Sequence, residues 1–250
     1  MKGFKISITN IILLYMELPI SNDILNNFNL KNHEYLVDPT YYDLPSGEQE
    51  YKLYSYLTTF FDNAIILDIG TLNGRSAISL SHNELNQVIS YNIVDDIKKP
   101  GHKVYTKSNI EFRIKNVLEE LTQELISKTK IVMIDVDHFE VIEREIIQRL
   151  DDLGFSGLIL LEAIHHPWPK EREAMQRLWK SLKYEKYDVT KYGHWSGTGL
   201  IVMNSDIVIQ FEKKFVDNSV LLSPVLNTIT NWNLYKFNFN NTDALSKVID

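Results

Sequence analysis

The sequence predicts an α/β domain built on a doubly wound, mostly parallel sheet, and three observations lead there. Short apolar runs rich in β-branched residues alternate with segments of helical periodicity through residue 182, the rhythm of βαβ units. Five of these runs stop at a polar residue, Asp68, Asp95, Asn116, Asp135 or Glu162. The stretch Ala64–Ser81, AIILDIGTLNGRSAISLS, reads as strand, glycine turn and helix, with Gly70 and Gly74 bracketing the turn. Glycines there admit positive φ and let a ligand lie against bare backbone, beside the free N–H groups of the new helix.

A chain of 250 residues suffices for one such domain with additions at both ends. The absence of cysteine excludes a disulfide scaffold, Cys-ligated zinc and a cysteine nucleophile. A net charge of −7 argues against a nucleic-acid partner, whose binding draws on clustered Lys and Arg. Lys2 and Lys5 precede the apolar run Ile11–Met16, but Glu17 interrupts it, and it falls far short of the roughly 20 apolar residues of a membrane span. The expectation is a soluble, cytoplasmic protein with no membrane partner.

The elements follow in order. Residues 1–45 carry no motif; Pro39, Tyr41, Tyr42 and Pro45 suggest an irregular segment covering one end of the core. Ser46 with Gln49 forms a capping box, and Tyr54, Leu57 and Phe61 recur at helical spacing, so a helix delivers the chain into the first strand. Glu48 in its first turn is either a ligand contact or a solvated acid favoured by the helix dipole. After the Ala64–Leu67 strand and its glycine turn, Ala77, Ile78 and Leu80 begin the next helix. Val88–Val94 is a second strand ending at Asp95 and Asp96, and Ile110–Ile114 a third followed by Asn116.

Ile131–Ile134 has the unbroken apolar character of a central parallel strand and runs into Asp135-Val136-Asp137-His138. Glu140 to Gly154 is an amphipathic helix with Ile142, Ile146, Leu150 and Leu153 on one face. Leu158–Leu161 leads into Glu162-Ala163-Ile164-His165-His166, and Pro169 takes the first helical position before Met175, Leu178 and Leu182. Two last strands, YDVT and GLIVMN, flank the loop 191–199 and bring the strand count to seven. Residues 205–250 lie outside the pattern. Trp232, Phe237 and Phe239 there are either an oligomer contact or an intramolecular cover. The domain itself is expected over residues 46–204.

In an open parallel sheet ligands bind at the carboxyl ends of the strands, so Asp68, Asp95, Asn116, Asp135 and Glu162 converge on one rim. Asp95, one helix and one strand beyond the glycine turn, stands where an acid accepts hydrogen bonds from ribose hydroxyls; Asn92 competes for that place. Buried strand ends tolerate unpaired carboxylates poorly. Asp135, Asp137 and Glu162 together therefore call for a cation, a bound amine or hydroxyl, or a shared proton.

The pattern D-x-G-x-x-x-G (Asp68, Gly70, Gly74) lacks the pyrophosphate fingerprint G-x-G-x-x-G and closely resembles the first motif of class I S-adenosylmethionine-dependent methyltransferases. IDVDH resembles the I-D-G-D-H signature of a small-molecule and sugar O-methyltransferase branch, and LLEAIHHPW and YGHWSGTGLIV look like its fifth-strand end and closing hairpin. The resemblance spans roughly residues 46–204. It implies a Rossmann-like fold with an antiparallel seventh strand, S-adenosylmethionine as cofactor, and O-methylation of a small-molecule or sugar hydroxyl; the alternative is a non-catalytic or repurposed cofactor-binding protein.

By that resemblance the cofactor would meet the turn residues Asp68, Gly70, Thr71, Asn73 and Gly74, then Asn92, Asp95, Asn116 and Asp135. Metal-dependent relatives hold magnesium through an acid ending the fourth strand and an acidic or Asp-Asn pair ending the fifth. Here Asp135 matches the first, Glu162-Ala163 replaces the pair, and the expected ligands are Asp135, Glu162 and Asp137. The catalytic candidates are Asp135 and a histidine base, from His138, His165 and His166, with His194 in the closing loop. Alternation from Glu162 puts His166 on its face and His165 on the other.

Overall fold

The structure is a computed structural model describing residues 15–36, 38–95 and 103–212. In chain order its elements are β1 (Met16–Ile20), α1 (Asn22–Asn26), α2 (Thr40–Asp43), α3 (Pro45–Thr58), β2 (Ile65–Ile69), α4 (Arg75–Leu80), β3 (Gln87–Asn92) and β4 (Ile110–Ile114). There follow α5 (Gln123–Lys128), β5 (Thr129–Ile134), α6 (Val141–Asp152), β6 (Gly157–Glu162), α7 (Pro169–Ser181), β7 (Glu185–Asp188), β8 (Thr198–Met203) and β9 (Ile207–Phe211).

Seven strands form one sheet in the order β4-β3-β2-β5-β6-β8-β7. The first five run parallel, and β8 is antiparallel to both β6 and β7. The strand order reverses beside β2, between β3 and β5, which puts a topological switch point at the Asp68–Gly74 turn. This is the doubly wound, Rossmann-like architecture expected.

Alternation along each strand divides the core in two. Ile66, Val88, Ile131, Met133, Leu158 and Leu160 pack toward α3 and α4, whereas Leu67, Ile89, Val132, Ile134, Ile159 and Leu161 pack with Ile146, Leu150, Met175 and Leu178 of α6 and α7. The same parity carries past the apolar runs. Asp68, Asp135 and Glu162 therefore project on the α3 and α4 side of three adjacent strands.

Three local expectations are corrected. Ser46 does not cap α3: Pro45 takes the first turn, the capping position is Leu44, and no side-chain cap bond forms. The last hairpin's first strand is Glu185–Asp188 rather than the expected YDVT, and it ends where Asp188 accepts from the Thr190 N–H and hydroxyl. The run Met16–Ile20 is strand, paired in parallel with Ile207–Phe211 in a second, two-stranded sheet. Asp96, Trp232, Phe237 and Phe239 lie outside the described residues. Among the described residues no helix is long and apolar enough to cross a membrane.

Candidate active site

The glycine turn is built by close approach. Gly70 has φ +97°, and a Cβ there would run into the Asp135 carbonyl oxygen; Gly74 has φ +83° and would meet Val104. Backbone bonds fix the loop: the Gly70 N–H donates to Tyr91 O at 2.9 Å, and the Gly74 N–H to Thr71 O at 2.8 Å. Asp68 is buried, with Oδ2 accepting from the Ser90 hydroxyl at 2.7 Å. Among the described residues its other oxygen and the buried Thr71 hydroxyl make no hydrogen bond of ordinary geometry, although the Thr71 and Ser76 hydroxyls lie close enough to favour the Asp68 carboxylate. Burial raises the Asp68 pKa, and the hydroxyls of Ser90, Ser76 and Thr71 oppose that rise. Two buried oxygens without a full hydrogen bond, beside bare glycine backbone, are what a polar ligand would satisfy.

Asp135 follows β5, its N–H donating to Ile69 O at 2.9 Å. The pairing Ile134↔Leu161 continues to set Asp135 beside Glu162. Protein atoms crowding Asp135 raise its pKa to about 7, helped by Asp68 and Glu143, although 45% of its side chain is open to solvent that screens the shift. Glu162 is 2% exposed. Its Oε1 accepts from the Tyr54 hydroxyl and, at 2.8 Å, from the Thr198 hydroxyl, while Oε2 has no hydrogen-bond partner. Burial first and Asp135 second push its pKa to about 8.

A fourth carboxyl completes the rim, and it is not Glu48. Glu48 pairs on the surface with Lys52, whereas Glu50, two residues on, is buried and raised well above the ordinary range by burial, then by Glu162 and Asp135. Tyr41 donates to Glu50 at 3.4 Å. The spacing Glu50, Tyr54, Leu57 places this acid on the inward face of α3.

The histidines separate. His138, at φ +63°, sets Nε2 3.4 Å from Asp135 Oδ1, and its ring lies 5.1 Å from that of His166. Burial, then His166, lowers its pKa to about 4. His166 is lowered by burial as well, and its Nδ1 accepts from the Trp168 N–H at 3.3 Å, which leaves its proton on Nε2 in the neutral ring. His165 instead forms a half-exposed pair with Asp188 at 2.6 Å. His194 stands between Glu162 Oε2, at 3.6 Å, and Glu50 Oε2, at 3.9 Å, and burial drives its pKa down to about 3.

Of the expected magnesium ligands, Asp135 and Glu162 lie at adjacent strand ends, and Asp137 does not join them. Asp137 turns back to accept from the Phe139 N–H at 3.3 Å, and Glu162 Oε1 already receives two hydroxyls. Among the described residues no group of three or more histidine, aspartate or glutamate side chains is placed to hold an ion. Magnesium commonly keeps several waters and takes one or two carboxylates, a role for which Asp135 and Glu162 at adjacent strand ends are the residues available.

At the β3 and β4 ends the rim is sparser. Asn92 closes β3 with its oxygen accepting from the Ile93 N–H at 3.1 Å, and Asp95 lies exposed beyond it. Asn116 Oδ1 accepts from the Leu118 N–H at 3.1 Å, capping a short turn, so its oxygen is already engaged. Asn73 is half-buried in the glycine turn.

No family model matches the chain, and no curated protein does. Solved structures similar to it include cofactor-bound Rv0187 from MTB, at 16% identity over 62% of this chain and 80% of that one, TM-score 0.44. The SAH-bound methyltransferase PaMTH1 of Podospora anserina is similar at 13% identity over 64% and 83%, TM-score 0.47. The N-methyltransferase NodS of Bradyrhizobium japonicum WM9 is similar at 13% over 64% and 96%, TM-score 0.44.

Proposed function

We propose that this chain is an S-adenosylmethionine-dependent methyltransferase acting on the oxygen of a small-molecule or sugar hydroxyl. The observation that carries the reading is the Asp68–Gly74 turn at the switch point, where bare glycine backbone meets the buried Asp68 carboxyl and Thr71 hydroxyl. When bound, the cofactor supplies an electrophilic methyl group on a sulfonium.

The chain's own residues then have two tasks. Asp68 and Thr71 anchor the polar end of the cofactor, and the rim holds the acceptor in line, positioning that alone can lower a barrier by several kcal/mol. The acceptor hydroxyl must also lose its proton. Asp135, raised to about 7 and half open, is better matched to neutral pH as general base than His138 or His166, both of which burial depresses. His138 beside Asp135 acts as a positioning residue for that carboxylate.

Calorimetry with S-adenosylmethionine followed by turnover on a panel of hydroxyl-bearing acceptors tests this. Binding in the micromolar range, on the order of −8 kcal/mol, with formation of S-adenosylhomocysteine, is expected. Asp135→Asn should bind the cofactor and lose about a hundredfold or more in rate. Absence of cofactor binding, or full activity in Asp135→Asn, overturns the assignment.

A further inference from the structure

We propose that the line of acids along the strand ends, Asp68, Asp135, Glu162 and Glu50, reads the positive charge that distinguishes S-adenosylmethionine from the S-adenosylhomocysteine left after transfer, and so holds the charged form more tightly. This rests on the cofactor reading above.

The geometry is a continuous acidic strip. Asp68, Asp135 and Glu162 share one face of three neighbouring strands, and α3 lays Glu50 against Glu162. Among the described residues no lysine or arginine is ion-paired with any of the four; their ion-pair partners are His138 at Asp135, and His194 at Glu162 and Glu50. Neither imidazole supplies a counter-charge, since burial holds both in the neutral form. The hydroxyls of Tyr41 and Tyr54 carry no positive charge either.

The strip is also incompletely satisfied. Among the described residues Asp68 Oδ1, Glu162 Oε2 and the hydroxyl of Thr71 are buried and make no hydrogen bond of ordinary geometry. Burial holds the Glu50 and Glu162 carboxyls toward their neutral form as well, so the strip gains its charge at alkaline pH or against an arriving cation, and with no paired lysine or arginine it is then complementary to a cationic ligand. Methyl transfer removes that cation. The carbon–sulfur bond breaks with its electron pair left on sulfur, the carbon–oxygen bond forms, and the hydroxyl proton passes to Asp135. Sulfur loses its positive charge in the step that protonates Asp135, so the total charge of site and ligand is unchanged, and the neutral thioether offers no cation to Glu162 and Glu50. The cofactor's amino group is common to both forms and cancels.

Calorimetry at mildly alkaline pH would compare three probes on the full chain: S-adenosylmethionine, S-adenosylhomocysteine, and an analogue with a protonated amine in place of the sulfonium. The expected result is about tenfold tighter binding of both cationic probes than of S-adenosylhomocysteine. Glu162→Gln and Asp135→Asn should each pull that ratio toward one. Asp135 is half open to solvent, so Asp135→Asn carries the test if Glu162→Gln does not fold. A wild-type ratio near one, an amine analogue that binds like S-adenosylhomocysteine, or variants with unchanged ratios overturn the charge reading while leaving the cofactor reading in place. Failure of all three probes to bind overturns both.

Discussion

Two acidic regions of the same sheet are treated in opposite ways. At the β4 edge Arg113 donates to Glu111 at 2.8 Å, to Glu120 at 2.9 Å and to the Tyr91 hydroxyl at 3.0 Å, and Lys115 also reaches Glu120. Lys115 and Arg113 hold the Glu120 carboxyl below its usual range. At the β5 and β6 ends Glu162 and Asp135 are pushed up, because burial and mutual repulsion go unanswered by any paired lysine or arginine among the described residues. A carboxylate that matches a cation within the fold serves the fold. One kept without such a match stores free energy that a ligand can recover.

The comparison is broken most severely by Gly70→Val. The new side chain meets the Asp135 carbonyl and is strained at positive φ, so cofactor binding should fall by about a hundredfold or more, while circular dichroism reports whether the paired β4 edge still folds. Unchanged calorimetric binding would remove the turn from the site.

Next in size are the histidines. His138→Gln should lower turnover about tenfold and move the acidic limb of the pH–rate profile, because its ring abuts Asp135, whereas His165→Gln, altering only the half-exposed Asp188 pair, should stay within about twofold. Equal losses in the two variants would place His165 at the site after all.

The pH dependence of stability should have opposite signs in the two regions. Glu162 is raised from 4.5 to about 8, so the unfolded chain releases its proton first, and stability is lost as pH rises across that window, with a slope of at most about 1.4 kcal/mol per pH unit. Glu120 is depressed, so its contribution is present above the ordinary glutamate range and is lost as pH falls through the lowered value. Urea titrations across pH should find the alkaline loss relieved in Glu162→Gln and the acid loss relieved in Glu120→Gln. The smallest effect is Lys115→Ala: a partner 59% exposed should cost under about 1 kcal/mol, less at high salt.

The sheet was legible because its signals are local: apolar runs end where polar rim residues begin, and Asp68, Gly70 and Gly74 write the turn directly. Glu50 was missed because its role depends on which face of α3 turns inward; the signal available was an acid on the stripe of Leu53, Tyr54 and Leu57. The capping box failed because Pro45 already starts the helix, and Asn116 misled because a residue suited to a ligand contact is equally suited to capping a turn. His165 and His166 do separate, but through a turn with Ala163 at φ +61° rather than by strand alternation, and the pairing of Asp135 with His138 depends on a left-handed backbone at His138, which a non-glycine residue does not announce.

The parallel pairing of Met16–Ile20 with Ile207–Phe211 has a kinetic consequence. These strands come from opposite ends of the described chain and can meet only after the whole intervening sheet has brought them together, which places their closure late in folding. Having only each other as strand neighbours among the described residues, they should also be the first paired strands to exchange amide protons, opening before the central strands do.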